Sequence, residues 1–356
     1  MGKKSIKKII FYSLPLFLSI SFAFLLCEFL VRYFDLSKTW ASYKSSITIS
    51  QFMQTKENKT VGYKRIPNKS FVAPRNIIFE TNNYGFRDKN FKIKKDKNTI
   101  RIAVIGDSVT EGFGVKANDR FTNYSEIKLN KQTNHNFEFF NFGISGHSTY
   151  DQLDILINDV LKFKPDYVLL QFGFNDIRKN KSIHDAQLSK TKPDAAERKK
   201  NTPGPRSNGS LRPFLQKNSA LYLFFAEIYN TYKLNHNIPN SILYNVLSIK
   251  EDEWELTLNL LEEIAAQCKK HSIPFLITYL PLDVEIQIKD KKKGQFVNLR
   301  LKQFCQENNI IFIDVVNALR ETTNSNLFLD DVHLSVAGNI IVGDVIAKHF
   351  EEIILR

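Results

Sequence analysis

Cysteine is scarce: Cys27, Cys268 and Cys305 are the only three among 356 residues. They are too few for a disulfide framework, and none stands in a Cys-x-x-Cys or Cys/His spacing that holds zinc, so no metal is expected. Fourteen glycines and eleven prolines, with no internal repeat, exclude a fibrous chain. Walker A and G-x-S-x-G sequences are lacking, which argues against P-loop NTPases and the α/β-hydrolase superfamily. Gly112-Phe113-Gly114-Val115-Lys116-Ala117 fits a dinucleotide pattern, but it starts six residues beyond Gly106, too late for the turn after a strand, and a nucleotide site is not expected. Acid is in short supply, 37 Asp and Glu against 50 Lys and Arg, giving a formal charge of +13 and pointing to anionic surroundings. No basic-region, zinc-finger or RNP-type motif accompanies the excess, so no nucleic-acid partner is expected. Apolar residues are plentiful, at 43%, enough for a sizeable core.

The apolar residues are concentrated first near the N-terminus. Ile9 to Leu26 carries no charge, and Cys27, Phe29, Leu30 and Val31 prolong the run around Glu28. Eighteen or more such residues suffice for a hydrocarbon core of ~30 Å. Lys3, Lys4, Lys7 and Lys8 precede the run, so the positive-inside rule keeps the N-terminus cytoplasmic and exports the rest to the periplasm or cell surface as a single-pass protein. The competing reading is a cleaved signal peptide; it lacks a small-x-small site, and the run exceeds an h-region of about 7 to 15 residues. Leu26 before Cys27 argues against lipoprotein processing, and Ile6 against a myristoylation signal on Gly2.

Three segments follow: a cytoplasmic tip and anchor (1–34), a polar, Lys/Asn-rich connector or N-terminal extension with scattered turn signals (35–98), and one large domain (99–356) with a basic insertion at 178–250. In the large domain short apolar runs alternate with amphipathic stretches. Strands are expected at Ile100–Ile105, Phe137–Phe142, Tyr167–Phe172, Pro274–Leu280 and Ile310–Val315. Helices are expected near Arg120–Lys131, Tyr150–Lys162, Glu253–Lys270, Gln295–Asn308 and Val336–Glu352. Five strands and five helices in alternation describe one doubly wound α/β domain. Residues 178–217 interrupt the rhythm, with eleven Lys or Arg against three acids and the triplet Pro203-Gly204-Pro205. This stretch reads as a long basic loop, either solvated or a lid for an anionic substrate or headgroup.

The first strand runs into Gly106-Asp107-Ser108, after which a helix can start at Val109. A serine on such a turn is exposed at the carboxyl edge of the sheet, although Gly-Asp-Ser alone is also a common turn and N-cap sequence. Three more blocks share that edge: Asn141-Phe142-Gly143-Ile144-Ser145-Gly146, Gly173-Phe174-Asn175-Asp176, and Asp330-Asp331-Val332-His333 before the last helix. Together they offer a nucleophile, a base, an orienting carboxylate and oxyanion donors.

In this order the four blocks resemble the SGNH or GDSL hydrolases over about residues 101–356, with Val61 to Asn68 and Asn82 to Asp88 similar to the lead-in of membrane-anchored bacterial members. The resemblance implies a three-layer α/β/α flavodoxin-like parallel sheet. It also implies catalytic Ser108, His333 and Asp330, an oxyanion hole from Ser108, Gly146 and Asn175, and no cofactor. Asp331 competes with Asp330 as the partner of His333, and the family spacing of three favours Asp330. Asp107 and Asp176 are expected to brace turns, and His147 to be a surface residue beside the site. The implied activity is a serine esterase acting on O-acyl esters, acetyl or short-chain, of a carbohydrate, lipid or small molecule, with surface glycans or lipids as the natural partners. An acyltransferase using the same residues and a non-catalytic glycan- or lipid-binding module are the alternatives. Oligomeric state is not legible.

Overall fold

The apolar runs expected as strands lie side by side in the computed structural model, which describes residues 3–34, 36–37, 53–54, 62–73, 77–191, 211–235, 246–322 and 326–354. The chain divides into two compact units, one of residues 1–44 with 202–238 and the other of 45–201 with 239–356.

In the first unit, α1 (Lys3–Tyr33) contains a stretch, Ser13–Tyr33, that is long and apolar enough to cross a membrane, with mean hydropathy 2.2. Its apolar side chains are exposed, Phe17 at 66% and Phe22 at 69%. A signal sequence shares these properties.

The second unit opens with paired short strands, β1 (Met53–Gln54) with β2 (Lys64–Arg65) and β3 (Ser70–Ala73) with β4 (Ile77–Glu80). The large sheet follows: β5 (Thr99–Ile105), β6 (Asn136–Asn141), β7 (Tyr167–Phe172), β8 (Phe275–Tyr279) and β9 (Ile311–Ile313), all parallel in the order β6-β5-β7-β8-β9. Both faces are covered, which is why the strands read as continuous apolar runs. Ile102 and Val104 face a core shared with α3 (Phe121–Gln132) and the final helix α13 (Val336–Ile354). The alternate side of β6 carries Phe140, stacked on Phe91 at 4.3 Å and edge-on to Phe163. On that side α4 (Thr149–Ile155), α5 (Phe174–Thr191) and α8 (Glu251–Lys270) pack together. This is the three-layer α/β/α flavodoxin-like arrangement. Its strand order reverses between β5 and β7, where such sheets open a crevice at their carboxyl ends.

Two expectations are corrected. Residues 178–191 are the body of α5, with Ile177 and Asn180 fully buried and Asn180 donating to Thr257 Oγ1 at 3.1 Å. Residues 211–218 form a further helix, α6 (Leu211–Asn218), before α7 (Ala220–Asn235). Of residues 178–217, the interval 192–210, with Pro203-Gly204-Pro205, falls outside the described residues. The part of the expected connector described at 62–73 and 77–98 belongs to the second unit and packs into it: Phe79, Phe86, Phe91, Arg65 and Arg87 are all buried. Val61 lies outside the described residues.

Candidate active site

β5 ends at Ile105, and the chain turns through Gly106-Asp107 into α2 (Ser108–Glu111), a single turn of helix. Asp107 caps it by accepting from the Val109 amide at 2.9 Å. Gly112 ends it with φ +80, where a Cβ would strike the Arg120 side chain. The turn is held from behind by Gln171 on β7, whose Oε1 accepts from Thr110 Oγ1 at 2.9 Å and from the Asp107 amide at 3.3 Å.

Asp330 and His333 reach this turn from the far end of the chain. A backbone bond from Leu329 N to His333 O at 2.7 Å closes the loop. Asp330 Oδ1 accepts from the amides of Val332 and His333, both at 2.8 Å, which fixes the carboxylate. His333 Nδ1 lies 2.8 Å from Asp330 Oδ2, and His333 Nε2 lies 2.8 Å from Ser108 Oγ. Phe113 stacks on the imidazole at 4.3 Å. Burial would lower the His333 pKa, but the charge and hydrogen bond of Asp330 outweigh it, with Asp107 and Glu111 adding, so the imidazole titrates above its usual 6.5. A hydroxyl, imidazole and carboxylate in this series can transfer the serine proton as the oxygen attacks. Asp331 is exposed, and its carbonyl accepts from the Asp283 amide.

The β6 and β7 loops bring in the remaining candidates. Asn175 Nδ2 donates to Asp107 Oδ2 at 3.1 Å. Asp107 is buried, which raises its pKa against the pull of the Val109 and Asn175 donors. Asp176 Oδ2 braces the loop by accepting from the Gly173 amide at 2.8 Å, and burial with the nearby Asp107 holds its carboxyl well above the usual range. Gly146 has φ +78, so its turn favours glycine. Among the described residues no acceptor takes the backbone N–H of Ser108 or of Gly146.

The sequence reading overlooked what stands behind the Gly146 loop. Glu111 is buried, and its carboxylate accepts from the Ser145 amide at 3.1 Å and from the Ser145 hydroxyl. Arg65 of β2 grips the same carboxylate through two nitrogens, one at 2.8 Å, and holds the Glu111 pKa below its usual value despite burial. Tyr63 donates its hydroxyl to Ser145 O at 2.8 Å, and Lys179 donates to Gly146 O. His147 is corrected from a surface residue: it is 1% exposed, its Nε2 lies 2.8 Å from Tyr63 O, and burial pushes its pKa down to about 4. The former connector therefore supplies the back wall of the loop that carries Gly146. Replacing Arg65 with Met would leave Glu111 buried without its cation, an expected loss of about 3–5 kcal/mol. Urea unfolding of the full-length protein in detergent, monitored by far-UV circular dichroism, would measure the loss.

A model of the GDSL-like lipase/acylhydrolase family matches residues 104–340. No curated protein matches the sequence. Solved structures similar to the chain include a member of the lipolytic protein G-D-S-L family from Veillonella parvula, with 16% identity, 71% of this chain and 98% of that one covered, and a TM-score of 0.41. An α/β hydrolase from the metagenome of Lake Arreo is similar at 15% identity over 70% and 94%, TM-score 0.43. A catalytic mutant of an acetylxylan esterase from Geobacillus stearothermophilus is similar at 17% identity over 70% and 93%, TM-score 0.42.

Proposed function

Since the chain belongs to the GDSL-like lipase/acylhydrolase family, and is an ester-hydrolysing serine hydrolase, we propose that it is a membrane-anchored, extracytoplasmic esterase in which Ser108, His333 and Asp330 form the catalytic triad. Its substrates are acetyl or other short-chain O-acyl esters of a carbohydrate, lipid or small molecule. The observation that carries this reading is the 2.8 Å approach of His333 Nε2 to Ser108 Oγ, with His333 Nδ1 on Asp330.

Ser108 Oγ attacks the ester carbonyl while His333 Nε2 takes its proton. Asp330 holds the imidazole in the tautomer with hydrogen on Nδ1 and stabilises the imidazolium that forms. The oxyanion is held by the backbone N–H groups of Ser108 and Gly146 and by the second N–H of the Asn175 amide, the first being taken by Asp107. Collapse expels the alcohol, which leaves with the proton from His333. Water then attacks the acyl-serine, giving its proton to His333, and the free acid departs as Ser108 is restored. No step draws on a cofactor.

The anchor is α1, with the lysines at its start on the cytoplasmic side. Residues 35–98 are taken as an extension of the catalytic domain 99–356, its Gly62–Asp88 part backing the Gly146 loop.

Release of p-nitrophenol from the acetate and butyrate esters by the full-length protein in detergent tests the reading. Asn175→Ala is expected to lower kcat by ~10²-fold or more with KM little changed, because that donor acts on charge present only in the transition state. A folded wild type with no ester cleavage above Ser108→Ala, with or without a glycan acceptor, would overturn the reading. Transfer that appears only with the acceptor would assign the acyl-enzyme to an acyltransferase instead.

A further inference from the structure

Glu28 is the single acid in the apolar run 9–31, and a charge there needs a partner. It finds one in the insertion that follows α5. Its carboxylate accepts from Ser219 Oγ and the Ala220 amide at 2.8 Å, from the Leu221 amide at 3.0 Å, and from Arg32 at 2.6 Å. Arg32 also donates to Asn218 O at 2.6 Å. Two mismatched groups are thereby satisfied together: an acid within an apolar helix, and the open amides at the start of α7. Val31 closes the joint by packing with Ala220, Leu221 and Leu223.

The joint sets the depth of the insertion. Glu28 lies five residues before the end of the Ser13–Tyr33 stretch, about 7 Å along the helix at 1.5 Å per residue. With α1 as a span, α7 therefore begins about 7 Å inside that end of the stretch, near the boundary of a hydrocarbon layer. Its first part, Ala220–Tyr229, is a short apolar helix, of a length that lies in an interface rather than spanning it. Phe225 and Ile228, three apart on one face, are 59% and 50% exposed. On α6, Leu211 and Phe214 repeat the spacing at 72% and 63%. The sequence leading into α6 is basic, with Arg198, Lys199, Lys200 and Arg206, and α6 itself adds Arg212 and Lys217, a composition drawn to anionic headgroups.

We propose that the consecutive helices α6 and α7 are a membrane-interfacial element that seats Leu211, Phe214, Phe225 and Ile228 in the lipid beside the C-terminal end of α1. The occupant is lipid because the exposed faces belong to helices clamped to the last turns of the span, where a bilayer around α1 would surround Leu25 and Phe29, 65% and 57% exposed. The inference rests on the reading of α1 as an anchor.

The test uses the full-length protein in vesicles of phosphatidylcholine and phosphatidylglycerol. In a Cys27→Ser background, where Cys268 and Cys305 are buried, Phe225→Cys and, separately, Ile228→Cys are labelled with an environment-sensitive nitrobenzoxadiazole probe. Leu18→Cys reports on α1 and Lys94→Cys on the exposed surface of the catalytic unit. The expected result is blue-shifted emission at 225 and 228, quenching by nitroxide-bearing lipid, and several-fold protection from iodide relative to position 94. Iodide access at 225 and 228 equal to that at 94, with position 18 quenched by lipid nitroxide, would overturn the interfacial seat of these helices and leave the anchor standing. Protection from iodide without lipid quenching would overturn it in favour of a protein cover. Access at position 18, or loss of residues 1–34, would remove the anchor and the inference together.

Discussion

Ser108→Ala should retain the fold and lose turnover by on the order of 10⁴-fold or more, and His333→Ala should do the same, with the double variant scarcely worse than either. The loss is large because each side chain depends on the other: the hydroxyl has no other base within hydrogen-bond reach among the described contacts, and without the hydroxyl the imidazole has no nucleophile to activate for acyl-enzyme formation. The single and double variants share one broken step, so their effects do not add. The oxyanion donors remain in place, and a residual rate above water should persist in all three. Single-turnover kinetics with p-nitrophenyl acetate would add a second signature, a burst from acyl-enzyme formation in the wild type that is absent in Ser108→Ala. A Ser108→Ala protein that keeps the burst would remove the serine from the mechanism.

Asp330→Asn should cost about 10⁴-fold while disturbing the loop little. An asparagine oxygen can still accept from the Val332 and His333 amides, so the turn survives. Its amide nitrogen, however, faces Nδ1 and donates to it, which puts the imidazole hydrogen on Nε2 and denies Ser108 an acceptor. The pH profile separates this from general damage. In the wild type the acidic limb of kcat/KM should lie above the usual 6.5, because Asp330 raises the His333 pKa and only the neutral imidazole accepts a proton. Removing the carboxylate removes the largest raising influence, so the limb of the residual activity should move to lower pH while its plateau falls. A limb that stays in place would mean that His333 is not the titrating base.

The sheet was legible because a parallel strand covered on both faces is written as an unbroken apolar run, and Tyr167–Phe172 is observed with the bounds expected for it. The candidate site was legible as four short blocks because each follows a strand or precedes a helix at one edge, and the structure brings Ser108, His333 and Asp330 together there. What escaped was the charge behind it. Nothing in the sequence marks Arg65, Arg87 and Glu111 as buried and paired, since a buried, paired charge and an exposed one are written with the same letter. The same ambiguity hid α5. Its outward lysines and arginines gave the segment a loop-like composition, while the buried stripe among the described side chains holds two apolar residues, Ile177 and Ile183, beside the polar Asp176 and Asn180, the latter satisfied by Thr257. Tyr63 and His147 escaped for a further reason: their contacts join residues 84 positions apart, a pairing that no local pattern records.

The hydrogen bond between Ser108 and His333 spans 225 positions of chain, and this separation has a consequence in time. A ribosome adding about 5–20 residues per second releases the serine roughly ten to forty-five seconds before the histidine. Throughout that interval the nascent chain carries Ser108 without the imidazole that the proposed mechanism assigns to it as base, and α13, the last element of the core around β5, is still unmade. Esterase activity therefore begins only when synthesis is complete, so a chain broken off anywhere before residue 333 would be inert rather than a loose, unregulated hydrolase.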